Sequence, residues 1–138
     1  MIRLLLGVDV IDIPRFRRFV GCTDQEQLET LFTARELADV AGRADDAPGL
    51  AVRFAAKEAV MKALQDVAPF ELDWREIEVV REHGVPRIKL HGAVAVQARE
   101  QGVEQLALSL SHSCNVALAQ VVGTQSSGGA PPSGWGDL

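Results

Sequence analysis

Apolar and polar positions along the chain change period several times, and each change marks an element. From Arg3 to Ile13 the run "RLLLGVDVIDI" is nearly continuous in Leu, Val and Ile, which suits a β-strand. Pro14 stands where a helix can begin, and "RFRRFV" starts a short one. Thr33 with Glu36 three residues on has the spacing of a capping box and predicts a second helix. "AGRADDAPG", residues 41–49, predicts a turn-rich loop, and a long helix follows over residues 50–66. "REIEVVREHGVPRIKLHG" alternates on both sides of His83-Gly84 and predicts a hairpin. Residues 92–101 predict a helix stopped by Gly102, and "LALSLSHSCNVALAQVV" predicts two strands joined near His112–Asn115.

This order is strand, three helices, hairpin, helix, hairpin. It predicts an α+β domain over residues 1–122, with a mainly antiparallel sheet packed with the long central helix. Residues 123–138 are dominated by Gly, Ser and Pro and predict a flexible tail. The length of 138 residues suits one domain with one core. Aromatics make up only 5% of the chain, so Val, Leu, Ile and Ala must build that core.

Composition excludes several classes. A net charge of −5 argues against nonspecific nucleic-acid binding. No run approaches the roughly 20 apolar residues of a membrane helix. Asp9 and Asp12 interrupt the N-terminal apolar run, which reads as a strand and not a signal peptide. Cys22 and Cys114 are the only cysteines, consistent with two reduced thiols in a cytoplasmic protein.

Two places carry charges that need an explanation. In "RFAAKEAVMKAL", Arg53 to Leu64, the residues Ala55, Ala56, Ala59, Val60 and Ala63 form one small apolar face, which requires close packing. Arg53 and Lys57 lie one turn apart, as do Glu58 and Lys62. Taken alone, Glu58 and Lys62 support only an i,i+4 ion pair of about 0.3–0.5 kcal/mol. The second place is Asp9, on a strand of Leu, Val and Ile, where Asp is a poor strand former and an unpaired buried carboxylate is costly. Gly7 shares its face and leaves room beside the carboxylate. Asp9 reads either as a strand-end partner of an arginine or as a ligand of a hard cation, which two carboxylates with waters and phosphate oxygens commonly hold. His112, among Ser111, Ser113 and Asn115, reads most simply as a hydrogen-bonded turn residue.

The stretches "GVDVIDIPRF", "LFTARELADV", "AVRFAAKEAVMKAL", "GVPRIKLHG" and "LSLSHSCNVALAQVV" together resemble holo-acyl-carrier-protein synthases in order and spacing. These are the short, trimeric 4′-phosphopantetheinyl transferases. The resemblance spans about residues 4–122. It implies Mg²⁺-dependent transfer of phosphopantetheine from coenzyme A to a serine of an apo acyl carrier protein, with a site formed between protomers of a homotrimer. It implies that Asp9 and Glu58 bind Mg²⁺ and that Lys62 lies near the transferred phosphate. By the same resemblance Arg53, Lys57, Pro86, Arg87 and His112 surround the coenzyme, and Arg15, with Arg18 beside it, docks the acidic carrier. Either Glu58 or a Mg²⁺-bound water could take the serine proton.

One departure stands out. Many members of that family continue with a glycine-rich turn after the lysine, and here the chain reads "KALQDVAPF". A catalytically weak trimeric subunit that only binds coenzyme A or a carrier protein is therefore the alternative.

Overall fold

The computed structural model describes residues 1–65, 67 and 71–126. The chain begins with strand β1 (Ile2–Asp12), followed by helices α1 (Ile13–Gly21), α2 (Gln25–Leu31), α3 (Ala34–Val40) and α4 (Ala47–Leu64). A single 3₁₀ turn (Trp74–Glu76) leads into the hairpin β2 (Ile77–Glu82) and β3 (Val85–Leu90). Helix α5 (Gly92–Glu100) and strands β4 (Val103–His112) and β5 (Val116–Ser126) complete it. The sheets are antiparallel, one ordered β1-β5-β4 and the other β2-β3, so the expected α+β class holds.

The local signals explain most boundaries. The Asp12 side chain accepts from the Arg15 amide, and Pro14 lies in the first turn of α1. Thr33 and Glu36 form the expected capping box at α3. Asp24 and Gln27 form another at α2, a seven-residue helix that hydrophobic period alone does not reveal. Helix α4 starts at Ala47, earlier than expected, because Pro48 is compatible with a first turn. It ends at Leu64, where Gln65 takes φ 45°, and Asp66, the expected last residue, lies outside the described residues. Strand β5 runs four residues into the expected tail, since Gly123–Ser126 pair with Ile2–Leu5 on one side and Gly123–Gln125 pair with β4 on the other. Gly123 suits that position because a Cβ would come within 2.9 Å of the Gln105 carbonyl oxygen. The rest of the expected tail, 127–138, lies outside the described residues.

Helix α4 crosses the inner face of the three-stranded sheet. Its Ala55, Ala56, Ala59 and Ala63 are buried with Leu5, Ala119 and Val121. The contact is closest at Gly7, where a Cβ would collide with the Ala59 carbonyl. Gly7 therefore makes room for the helix backbone, and not for the Asp9 side chain as expected. A second cluster joins α1, α2 and α3 to the start of α4 through Ile13, Phe16, Phe32, Val40 and Leu50.

The other face of the sheet is uncovered. Ile2, Leu4, Leu6, Val8 and Val10 point outward from β1 and are 51–67% exposed. Val116 and Val122 extend this face on β5. The exposed apolar surface thus belongs to the sheet, while the alanine face of α4 is fully covered. No helix among the described residues is long and apolar enough to cross a membrane.

Replacing Gly7 with Ala should destabilise the protein by about 3 kcal/mol, since the clash is with main chain that cannot rotate away. Gly21→Ala meets nothing within 4 Å and should be neutral or slightly stabilising. Urea unfolding of both variants checks the contrast.

Candidate active site

Asp9 points inward from β1 toward α4 and is 9% exposed. The Lys62 ammonium donates to Asp9 Oδ1 at 2.9 Å and to the Val8 carbonyl at 3.0 Å. Glu58, one helical turn before Lys62, is half-buried and lies beside Asp9. The local i,i+4 reading is therefore replaced: the ion pair of Lys62 is with Asp9, across elements.

Two carboxylates share this small volume with one ammonium. Burial, then hydrogen bonding and charge repulsion from Asp9, pushes the Glu58 carboxyl up to about 7, while Lys62 acts in the opposite sense. With both carboxyls ionised, Asp9 Oδ2 is buried and meets no donor. A buried anionic oxygen without a donor is costly unless a cation meets it. No group of three or more His, Cys, Asp or Glu side chains suited to a metal occurs among the described residues. The donor set is thus two hard oxygen ligands with coordination positions left for water or phosphate, which suits Mg²⁺ and not a thiolate-loving ion.

The cluster opens into a cavity of about 590 Å³ whose lining includes Glu58, Arg15, Asp12 and three phenylalanines, Phe16, Phe19 and Phe54. The rings follow one another, Phe19 to Phe16 at 5.7 Å and Phe16 to Phe54 at 5.9 Å between centroids. This aromatic wall is not evident from the sequence, although Phe16 and Phe19 are spaced to share a helix face. Arg15 and Arg18 are exposed on α1 and make no ion pair among the described residues. Arg17 is engaged instead with Asp45 at 2.7 Å.

The remaining expected residues lie elsewhere. Pro86 and Arg87 line a separate cavity of about 530 Å³ together with residues of β4 and β5. His112 is exposed at the end of β4; it pairs with Ala117, which pairs with Ile11 of the first cavity, two strand spacings or roughly 10 Å away. Lys57 does not reach the site: its ammonium is wholly buried and donates to Glu36 Oε1 at 2.7 Å and to the carbonyls of Trp74 and Ile77. Burial lowers its pKa, against the opposing pull of Glu36. Arg53 is likewise 1% exposed, donating to the Gly49 carbonyl at 2.9 Å with Asp39 3.5 Å away. In this chain both charges are turned into the interior. Their apolar neighbours in sequence carry the helix inward on both sides, so a long side chain there ends in the interior.

Glu58 holds its proton more tightly folded than unfolded, from a usual 4.5 to about 7. The folded state therefore binds more protons between those values, and metal-free stability should fall as pH rises through that interval. Glu58→Gln should remove that component and be the more stable form at pH 8. Urea unfolding in chelator at pH 5 and pH 8 checks both points.

A family model described as the 4′-phosphopantetheinyl transferase superfamily matches residues 5–117. A holo-[acyl-carrier-protein] synthase of Geotalea daltonii is 40% identical over 117 residues, covering 84% of this chain and 94% of that protein. One from Streptomyces avermitilis is 45% identical over 122 residues, covering 85% and 94%. Among solved structures, the ACPS–CoA complex of Chronobacterium ammoniagenes superposes with a TM-score of 0.80 at 30% identity, covering 90% of this chain and 98% of that one. The Helicobacter pylori synthase in complex with coenzyme A gives 0.74 at 27% identity, covering 86% and 99%. With a family match over most of its length and relatives this similar, the chain belongs to the 4′-phosphopantetheinyl transferase superfamily.

Proposed function

We propose that this protein transfers 4′-phosphopantetheine from coenzyme A to a serine hydroxyl of an apo acyl carrier protein, releasing adenosine 3′,5′-bisphosphate. The carrying observation is the Asp9–Glu58–Lys62 cluster at the mouth of an open cavity. Its family relatives are named for this reaction, and two solved relatives hold coenzyme A.

In the proposed step the serine oxygen forms a bond to the phosphorus of phosphopantetheine and the pyrophosphate P–O bond breaks. Asp9 and Glu58 would hold Mg²⁺, with the unpartnered Asp9 Oδ2 as the clearest vacant ligand. When bound, Mg²⁺ neutralises phosphate charge, the main demand of phosphoryl transfer. Lys62 is more than half exposed, so its ammonium can swing from Asp9 toward the phosphoryl oxygens and stabilise charge developing there. Glu58 also lines the cavity, where its carboxylate would take the serine proton.

Arg15 and Arg18 on α1, exposed and without an ion pair among the described residues, offer two guanidinium groups to an acidic carrier helix. Pro86, Arg87 and His112 would serve coenzyme A, but from elsewhere on the surface than the carboxylates. A homotrimer accounts for both this separation and the bare sheet: neighbouring copies would cover the outward residues of β1 and bring the second cavity of one protomer to the first cavity of another. A cytoplasmic setting, where coenzyme A is made and used, suits two exposed free cysteines.

Mass spectrometry of an apo carrier incubated with coenzyme A, Mg²⁺ and this protein should detect a phosphopantetheine adduct and adenosine 3′,5′-bisphosphate. Coenzyme A binding with no transfer to any carrier tried would leave only a binding subunit. Asp9→Asn and Glu58→Gln should each lower turnover by at least about 100-fold, or roughly 2.7 kcal/mol, while the fold persists. For the assembly, Leu6→Glu should convert the trimer to monomers by light scattering and abolish transfer; an active monomer would remove the shared site.

A further inference from the structure

We infer that the buried Glu36–Lys57 ion pair is a positioning device that sets the rotation of α4 about its own axis and so aims Glu58 at Asp9. The inference rests on the proposed role of Asp9 and Glu58 as a Mg²⁺ site. It gives Lys57 a task other than the coenzyme contact expected for it.

Both partners are fully buried and 2.7 Å apart. Lys57 has three N–H bonds and uses all of them, toward Glu36 Oε1 at 2.7 Å, the Trp74 carbonyl at 3.0 Å and the Ile77 carbonyl at 2.5 Å. The Glu36 carboxylate accepts in addition from the amides of Thr33 at 3.0 Å and Val79 at 3.1 Å. One point in the interior therefore joins α3, the 3₁₀ turn, β2 and α4 through directional bonds. An apolar pair of equal volume could fill the same space, often without loss of stability. Only charged, hydrogen-bonded groups also specify an angle.

The angle matters because of what lies on the neighbouring positions. Successive helical residues are about 100° apart, so Lys57 and Ala59 project in directions about 200° apart, with Glu58 between them. Ala59 is pressed against Gly7 of β1, and Lys57 is tied to α3 and β2. The helix is thus held from two nearly opposite sides, and Glu58 has one bearing. A side-chain tip lies about 5–6 Å from a helix axis, so a rotation of about 20° moves it by roughly 2 Å. That equals a whole Mg²⁺–oxygen bond of about 2.0–2.1 Å, and this ion tolerates little departure from octahedral geometry. The close contact of the helix backbone with Gly7 limits the approach of α4 to the sheet but supplies no directional bond that fixes such a rotation.

The test pairs a neutral replacement with a readout that stability alone does not move. Glu36→Gln/Lys57→Met removes both charges at nearly constant volume and keeps an acceptor for the Val79 amide. Circular dichroism melting and light scattering establish that it folds and assembles. Calorimetric titration with Mg²⁺ should then give an affinity at least tenfold below wild type. Turnover should fall by a similar factor, while KM for the apo carrier changes less than twofold because α1 takes no part in the node. A folded double variant with wild-type Mg²⁺ affinity and turnover overturns the inference. If the double variant does not fold, Glu36→Asp decides instead by the same measurements, since it keeps both charges and withdraws the carboxylate by one methylene. Wild-type protein that binds no Mg²⁺ would overturn the metal reading itself, an outcome distinct from a variant that binds as well as wild type.

Discussion

The structure depends on how closely α4 can lie against β1. At Gly7 no side chain separates strand from helix, and Ala59 meets the strand backbone directly. A helix normally stands about 10 Å from a sheet because side chains fill the gap, and the alanine face with Gly7 removes most of that filling. The short spacing has a chemical consequence. Asp9, two residues along the same face of β1, comes within reach of Lys62 and beside Glu58. A bulkier residue at Gly7 or Ala59 would separate the carboxylates before altering any charged residue.

Helix α4 carries two lysines that the fold treats in opposite ways. Lys57 is sealed in the interior with all donors used, and Lys62 stands at the open edge with a partner it can release. They are five residues apart, or about 140° around the helix, enough to put one against α3 and β2 and the other beside Asp9 of β1. The same division separates the acids. Glu36 is surrounded by donors, whereas Asp9 keeps one oxygen without any and Glu58 is driven toward its neutral form. A fully bonded charge specifies structure, and an incompletely bonded charge is poised for a ligand. The exposed apolar face of β1 is a comparable deficit on a larger scale, an outward row of Ile, Leu and Val with nothing over it in a single chain.

Much of this was legible in the sequence. Period, capping boxes and turn residues located nearly every element, and the α+β class followed from their order. The small alanine face foretold close packing, and Asp9 stood out because a carboxylate on an apolar strand requires a partner. Local rules also failed where neighbours overrode them. Gly123 is a poor strand former at the start of a tail-like stretch, yet strands on both sides hold Gly123–Gln125 in the sheet. Helix α2 was too short for a period, although its Asp24 and Gln27 carried the capping signal.

The sequence by itself determined most of the elements, the class and the identity of the unusual charges, because these depend largely on contacts within a few residues. Tertiary structure alone decided what each charge does. Nothing along the chain distinguishes Lys57 from Lys62, or tells that Lys62 pairs with Asp9 and not with Glu58. Those assignments depend on which way α4 is turned and how near it lies to β1, and both are set by residues 20 to 53 positions away in the chain.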